Sequence, residues 1–261
     1  MFKEYFGGIY NNRFILISLV NRDLIQKYRR SILGIAWSII TPLGLAIIIG
    51  TIYSLLFNTE PKMLIPLLFA GINPWNFLSG CAEGGTYAFI SAEGYIKQST
   101  VSSQIFPLRT VVTSMINLLY SILTFFAIYL FLEPDLFSVQ MLMVIPGLII
   151  IFIFSWGIAN LTSIITLSLR DFQPFQSLIL QGLFYITPII YPVEMLREKG
   201  SSIIVDANPF YYLLEVVRTP MIGKELPSFQ IYLIAITISI SLFIFSVRVY
   251  MKNKDTISYK L

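Results

Sequence analysis

The chain has no histidine and one cysteine in 261 residues. Without histidine there is no imidazole base, no imidazole metal ligand and no side chain that ordinarily titrates in the neutral range. The one thiol, Cys81, excludes an intramolecular disulfide and reads as a small packing residue. Charge is scarce too: Asp, Glu, Lys and Arg make up 12% of the chain, against roughly 25% in soluble domains. No G-x-x-x-x-G-K-[ST] loop is present, so nucleotide binding by that route is excluded. Neither H-E-x-x-H nor G-x-S-x-G occurs.

The missing charge is patterned. Six stretches, at 35–57, 64–82, 110–132, 136–169, 172–193 and 228–247, contain no charged side chain at all. A hydrocarbon core about 30 Å thick is crossed by about 20 apolar helical residues. The expected fold is therefore an all-α membrane protein with six transmembrane helices, at 32–57, 64–82, 108–132, 138–169, 172–193 and 228–250. One domain covers 1–261, and little chain is left for a soluble unit.

Under that topology thirteen of the 18 Lys and Arg residues lie on the side that holds both termini, and five on the other. The positive-inside rule then puts both termini in the cytoplasm. Lipid headgroups and topology account for the basic balance, so membrane lipids are expected partners and nucleic acid is not. The first 30 residues lack an apolar core followed by a small-residue cleavage site, so the N-terminus is expected to be retained.

Between the spans, three segments stand out. Residues 14–31 place Ile17, Val20, Leu24 and Tyr28 on one helix face and Arg22, Gln26, Arg29 and Arg30 on another. That spacing predicts an amphipathic helix in the interface, within an N-terminal segment 1–31. The loop 83–109 carries a short polar run, Ser91–Gln98, able to form a brief helix; the coupling loop is placed at 91–104. Residues 187–223 are too polar to span yet too apolar for a free loop. Two short helices dipping into the outer leaflet would bury those groups, with a surface cap as the competing arrangement. The six apolar stretches hold no Asp, Glu, Lys or Arg, which argues against a proton- or sodium-driven carrier.

The run Lys27-Tyr28-Arg29-Arg30-Ser31-Ile32-Leu33-Gly34-Ile35-Ala36-Trp37, followed by Thr41-Pro42-Leu43, resembles the entry to the first span of bacterial polysaccharide-exporter permeases. These are the membrane subunits of ABC-2-type transporters for O-antigen, capsule and teichoic acid. Pro74-Trp75, Ile105-Phe106-Pro107-Leu108, Arg170-Asp171-Phe172, Thr187-Pro188-Ile189-Ile190-Tyr191 and Asn208-Pro209-Phe210 match in the same order across nearly the whole chain.

The resemblance implies six transmembrane helices, an N-terminal amphipathic interface helix, and re-entrant helices at 194–223 between spans five and six. It implies a homodimer in the bacterial inner membrane, paired with two copies of a separate ABC ATPase. ATP and Mg would sit on that partner, with no cofactor, metal or catalytic residue on this chain. Glu93, Gly94, Tyr95, Ile96, Lys97 and Gln98 then look like the coupling helix that docks on the ATPase. Arg22, Asp23, Lys27, Arg29 and Arg30 belong to the interface helix beside it.

A lipid-linked glycan needs a wet path, and aromatic rings stack on sugar faces while a phenol bonds at the edge. Tyr53, Trp75, Tyr87, Tyr120, Tyr185 and Tyr191 are the candidate lining residues, with ordinary helix packing as the competing reading for each. Arg29, Arg30, Lys97 and Arg109 are candidates to meet a lipid pyrophosphate, against a purely topological role. Two other functions compete: an ABC-2 permease for a drug or lipid, and an intramembrane enzyme acting on lipid-linked sugar. The latter would have to use Glu83 and Glu93 with Arg109, or Asp171 with Arg170, and neither cluster has metal-binding spacing.

Overall fold

A computed structural model describes residues 1–261 apart from 30, 32, 133, 135, 136, 192, 194, 195, 198, 199, 201 and 224. Among the described residues the chain is helical, with no strand. Two short helices come first, α1 (Phe2–Asn11) and α2 (Arg13–Tyr28). The long helices α3 (Trp37–Phe57) and α4 (Pro61–Ala88) follow, then the six-residue α5 (Glu93–Gln98). Next come α6 (Ile105–Leu132), α7 (Val144–Ser168) and α8 (Phe172–Ile186). The short α9 (Ser202–Asp206) and α10 (Pro209–Ile222) precede α11 (Phe229–Asn253) and a last turn, α12 (Ile257–Lys260).

The ends of these helices follow local chemistry. Pro61 and Pro209 open α4 and α10 at positions where the missing N–H costs nothing. Asn208 caps α10 by accepting from the Phe210 amide at 3.0 Å. Asn58 (φ 51°) and Gly223 (φ 77°) close α3 and α10 in the left-handed conformation.

Four segments are long and apolar enough to cross a membrane: Ile39–Leu56, Ile105–Leu130, Val139–Ser168 and Phe229–Lys260. The other two expected spans differ from their apolar runs. α4 is 28 residues long and continues past the run 64–82 to Ala88, carrying Glu83 within the helix. It dilutes its apolar character with Asn73, Asn76, Ser79 and Glu83. α8 is 15 residues long and stops at Ile186 rather than reaching 193. Pro188 explains the stop, because it biases Thr187 to the extended backbone found there (ψ 133°). At 1.5 Å per residue α8 is roughly 22 Å long, short of a core about 30 Å thick.

α4 is the central helix, packed by α3, α6, α7 and α10. In lipid, helices gain little from burying apolar groups against each other, so close packing and interhelical hydrogen bonds carry the association. Glycines mark the closest approaches. A Cβ on Gly85 would lie 2.7 Å from the Ala159 Cα of α7, and one on Gly147 would fall on the Val216 carbonyl of α10. The core around them includes Leu68, Phe69, Leu78, Ile151, Leu213 and Val217.

The bend after α8 is held from α10. Arg218 Nη1 donates to the Pro188 carbonyl at 2.5 Å, and Asn208 Nδ2 donates to Thr187 Oγ1 at 2.8 Å. Arg218 also pairs with Glu215, which accepts from Thr219 Oγ1 at 2.5 Å. Both charged residues are buried, at 6% and 9% exposure, so their mutual pairing is required. The non-helical backbone of this bend is thus satisfied by protein donors.

Both termini lie at one end of the bundle. There α1 inserts Tyr5, fully buried, against Tyr250 and Phe243 of α11 and Trp156 of α7. The Tyr5 phenol accepts from Asn160 Nδ2 at 2.7 Å, and its backbone carbonyl accepts from Gln104 Nε2 at 3.1 Å. The N-terminal segment is thus two helices rather than one. The buried face of α2 is shifted from the expected one: Val20 is buried as expected, Leu19 is buried beside it, and Ile17 is 54% exposed. The packed stripe is set by contact with α6, and Ile17 and Ile25 remain outside it as an apolar surface.

A candidate substrate groove and a coupling end

α4 and α8 run antiparallel. Tyr87 meets Gln173 near one end of the pair, and the Trp75 and Phe184 rings lie 5.8 Å apart near the other. Between these contacts the helices leave a groove of about 670 Å³. Trp75, Ser79 and Glu83 line it from α4, and Pro174, Ser177, Gln181, Phe184 and Tyr185 from α8, with Leu178 and Leu180. Positions 75, 79 and 83 fall one turn apart, so they form one stripe. From Trp75 to Glu83 that stripe rises roughly 12 Å. It passes from an indole through a hydroxyl to a carboxylate, with a facing amide, hydroxyl and phenol on α8. Hydroxyls and amides can bond the edges of a polyol, and the rings offer flat apolar area. Gln176, on the same helix, is 6% exposed, and neither carboxamide atom has a partner among the described residues.

The six candidate aromatic residues divide. Trp75 and Tyr185 line the groove, Trp75 buried and Tyr185 61% exposed. Trp75 is braced from behind by Phe210, with ring centroids 5.4 Å apart. Tyr87 lies just beyond the Glu83 end and takes a hydrogen bond from Gln173. Tyr191 folds its phenol back onto the Tyr185 carbonyl at 2.8 Å, so it braces the α8 end of the groove. Tyr53 on α3 and Tyr120 on α6 are half-buried and do not line it. Ser79, Ser177 and Gln181 were not among the sequence candidates, and Glu83 entered only as part of an enzyme cluster. Their signal was the four-residue spacing of polar positions along two apolar helices.

A second region lies at the end that holds the termini. α5 packs on this end through Ile96, while Gly94, Tyr95, Lys97 and Gln98 are exposed. Glu93 pairs with Lys97 at 2.7 Å, one turn on, and this ammonium holds the Glu93 carboxyl below the usual carboxylate range. α2 grips α5 and α6 together. Arg22 Nη1 donates to the Tyr95 hydroxyl at 2.9 Å, and Asp23 is clamped by Nε and Nη2 of Arg109. Tyr95 in turn lies 6.2 Å from the Phe106 ring of α6. Arg29, at the end of α2, is exposed. Arg30 and the side chain of Lys27 lie outside the described residues.

Of the four candidates to meet a lipid pyrophosphate, two are paired within the chain, Arg29 is exposed, and Arg30 lies outside the described residues. Arg109 is committed to Asp23, and Lys97 to Glu93. The same pairings engage Glu93 and Arg109 of the first of the two clusters an enzyme would have to use. No group of His, Cys, Asp and Glu that could hold a metal ion occurs among the described residues.

Comparison with known proteins agrees with this architecture. Residues 16–222 match the family model described as ABC-2 type transporter. An O-antigen export system permease protein RfbA of Klebsiella pneumoniae is 32% identical over 191 residues, 73% of each chain. A protein of the same description from Myxococcus xanthus is 26% identical over 225 residues, 84% of each chain. By the extent of the family match, the chain belongs to the ABC-2 type transporter family, whose members are membrane subunits of transporters.

Proposed function

We propose that this chain is the permease subunit of an ATP-driven exporter that carries a lipid-linked polysaccharide of the O-antigen type across a bacterial inner membrane. The observation that carries the reading is the α4–α8 groove. It brings rings, hydroxyls, amides and one carboxylate together along a helix pair in a membrane protein of an exporter family. The permeases of Klebsiella and Myxococcus named above support the same cargo class over a drug or a simple lipid.

The working unit is a homodimer with two ABC ATPase subunits, which bind ATP and Mg. Six spans cross the membrane, α4 and α8 among them, with α8 completed by the irregular segment after Ile186. α9 and α10 form the re-entrant pair on the outer side, and both termini are cytoplasmic. α5 docks on the ATPase. Closure of the ATPase pushes α5, and the load passes through Tyr95 to Arg22 and on through Asp23 to Arg109 at the base of α6. α4 connects to α5 through one short turn, Ile90–Ala92, so the same push reaches the groove wall. The groove widens or narrows as α4 moves against α8.

The test is copurification and turnover. The chain, tagged and co-expressed with an ABC ATPase subunit of the same organism, is purified into nanodiscs and offered undecaprenyl-linked glycans. A copurifying ATPase that one of these glycans stimulates is the expected result. An absent ATPase, with chemical change of the glycan by this chain alone, would reopen the enzyme reading.

A further inference from the structure

The groove has a sign. Of its lining residues, Glu83 is charged and none is a cation. Among the described residues Glu83 forms no ion pair; the pairs present engage Glu4, Asp23, Glu93, Asp206 and Glu215. Lys97, the nearest cation in sequence, is taken by Glu93, and Arg109 by Asp23. Glu83 is exposed at the rim of the groove, beside the rings and aliphatic side chains that line the rest, and it repels like charge that approaches along the groove. It also accepts hydrogen bonds from sugar hydroxyls or an amino group.

We infer that the α4–α8 groove selects by charge: it admits a polymer of neutral or amino-bearing sugars and disfavours one with phosphodiester or carboxylate groups in its repeat. This rests on the exporter reading above and narrows its cargo. Position strengthens it. Glu83 lies near the end of the groove closer to α5, about two turns along α4 from Trp75. On the proposed topology that is the cytoplasmic mouth, so every repeat unit meets the carboxylate before it meets the rings.

The experiment compares two synthetic cargoes on one lipid. Undecaprenyl pyrophosphate carries either a neutral hexose octamer or a glycerol phosphate octamer. The lipid headgroup is the same in both, so only the repeat charge differs. The complex with its ATPase is reconstituted, and stimulated ATP turnover is read for each cargo. The neutral cargo is expected to be favoured at least tenfold at low salt. Glu83→Gln should bring the ratio below about threefold, and Glu83→Lys should favour the anionic cargo. Raising salt should narrow the wild-type ratio, because partly wetted charges are screened. Equal stimulation by both cargoes in the wild type would overturn charge selection and leave the exporter reading standing. An unchanged ratio in both Glu83 variants would overturn it equally. No stimulation by either cargo would overturn the exporter reading and this inference together.

Discussion

Arg109 holds Asp23 with two donors, Nε and Nη2, one to each carboxylate oxygen. The pair joins α2 to the start of α6. With side chains 16% and 20% exposed, both ends are largely withdrawn from water. A planar guanidinium matches a carboxylate in this forked geometry, and a lysine cannot reproduce it.

Arg109→Lys should therefore keep the charge and lose the fork. Removing Arg109 altogether leaves Asp23 unpaired in a largely dry site, at a cost of about 1–3 kcal/mol. The expected order of detergent melting temperatures is wild type, Arg109→Lys, then Arg109→Ala. The swapped pair, Asp23→Arg with Arg109→Asp, should recover part of the loss. If all variants melt together, α2 is not fastened here.

Tyr5→Phe removes the acceptor of the Asn160 amide inside the bundle. Asn160 Oδ1 already lacks a partner among the described residues, so the variant leaves that carboxamide unsatisfied at both ends. A loss of about 1–3 kcal/mol is expected. Tyr5→Ala should cost more, about 3–5 kcal/mol, because it also empties the space among Trp156, Phe243 and Tyr250. Unfolding in mixed micelles measures both, and equal stability of Tyr5→Phe and wild type would contradict the contact.

Gly147→Ala places a methyl on the Val216 carbonyl, which is backbone and cannot rotate away. α7 and α10 must separate, at about 1–3 kcal/mol of overpacking. Gly80→Ala is the control, since a Cβ there meets nothing within 4 Å. The first variant should lower folded yield in membranes, and the second should not.

α1 is pinned to the end of α11 by Glu4 and Lys254 as well as by Tyr5. Lys254 lowers the Glu4 carboxyl below its usual range, and Glu4 raises the Lys254 ammonium above its own. The carboxylate's contribution is present above the ordinary carboxylate pKa and lost as pH falls through the depressed one. That of the ammonium is lost only as pH rises through the elevated one. The contact should therefore hold across the neutral range and loosen below about pH 4. A fluorophore pair between α1 and α11 should report that acid transition, and Glu4→Gln should remove it.

Charge-free runs located the apolar middle of α4, but the helix carries Glu83 on for one more turn. A charge ends an apolar run without ending a helix, and here it faces a groove instead of lipid. The stop at Ile186 was legible in Thr187-Pro188, yet run length outweighed it. α1 was obscured by Gly7-Gly8, a poor helical pair; Gly8 is needed because any larger residue would strike Gln104. Whether Tyr185 or Tyr120 faces the groove depends on which of α6 and α8 packs beside that stripe of α4, a tertiary property that no local pattern encodes.

Site-specific photocross-linking tests the groove most directly. A photoreactive residue replaces Ser79, Gln181 or Tyr185 in the groove, and Leu123, 65% exposed on α6, as an outward control. The complex is then given lipid-linked glycan and ATP. Glycan adducts at 79, 181 and 185 that require ATP, with none at 123, are the expected result. Adducts at 123 equal to those in the groove, or none at the groove positions during active export, would contradict it.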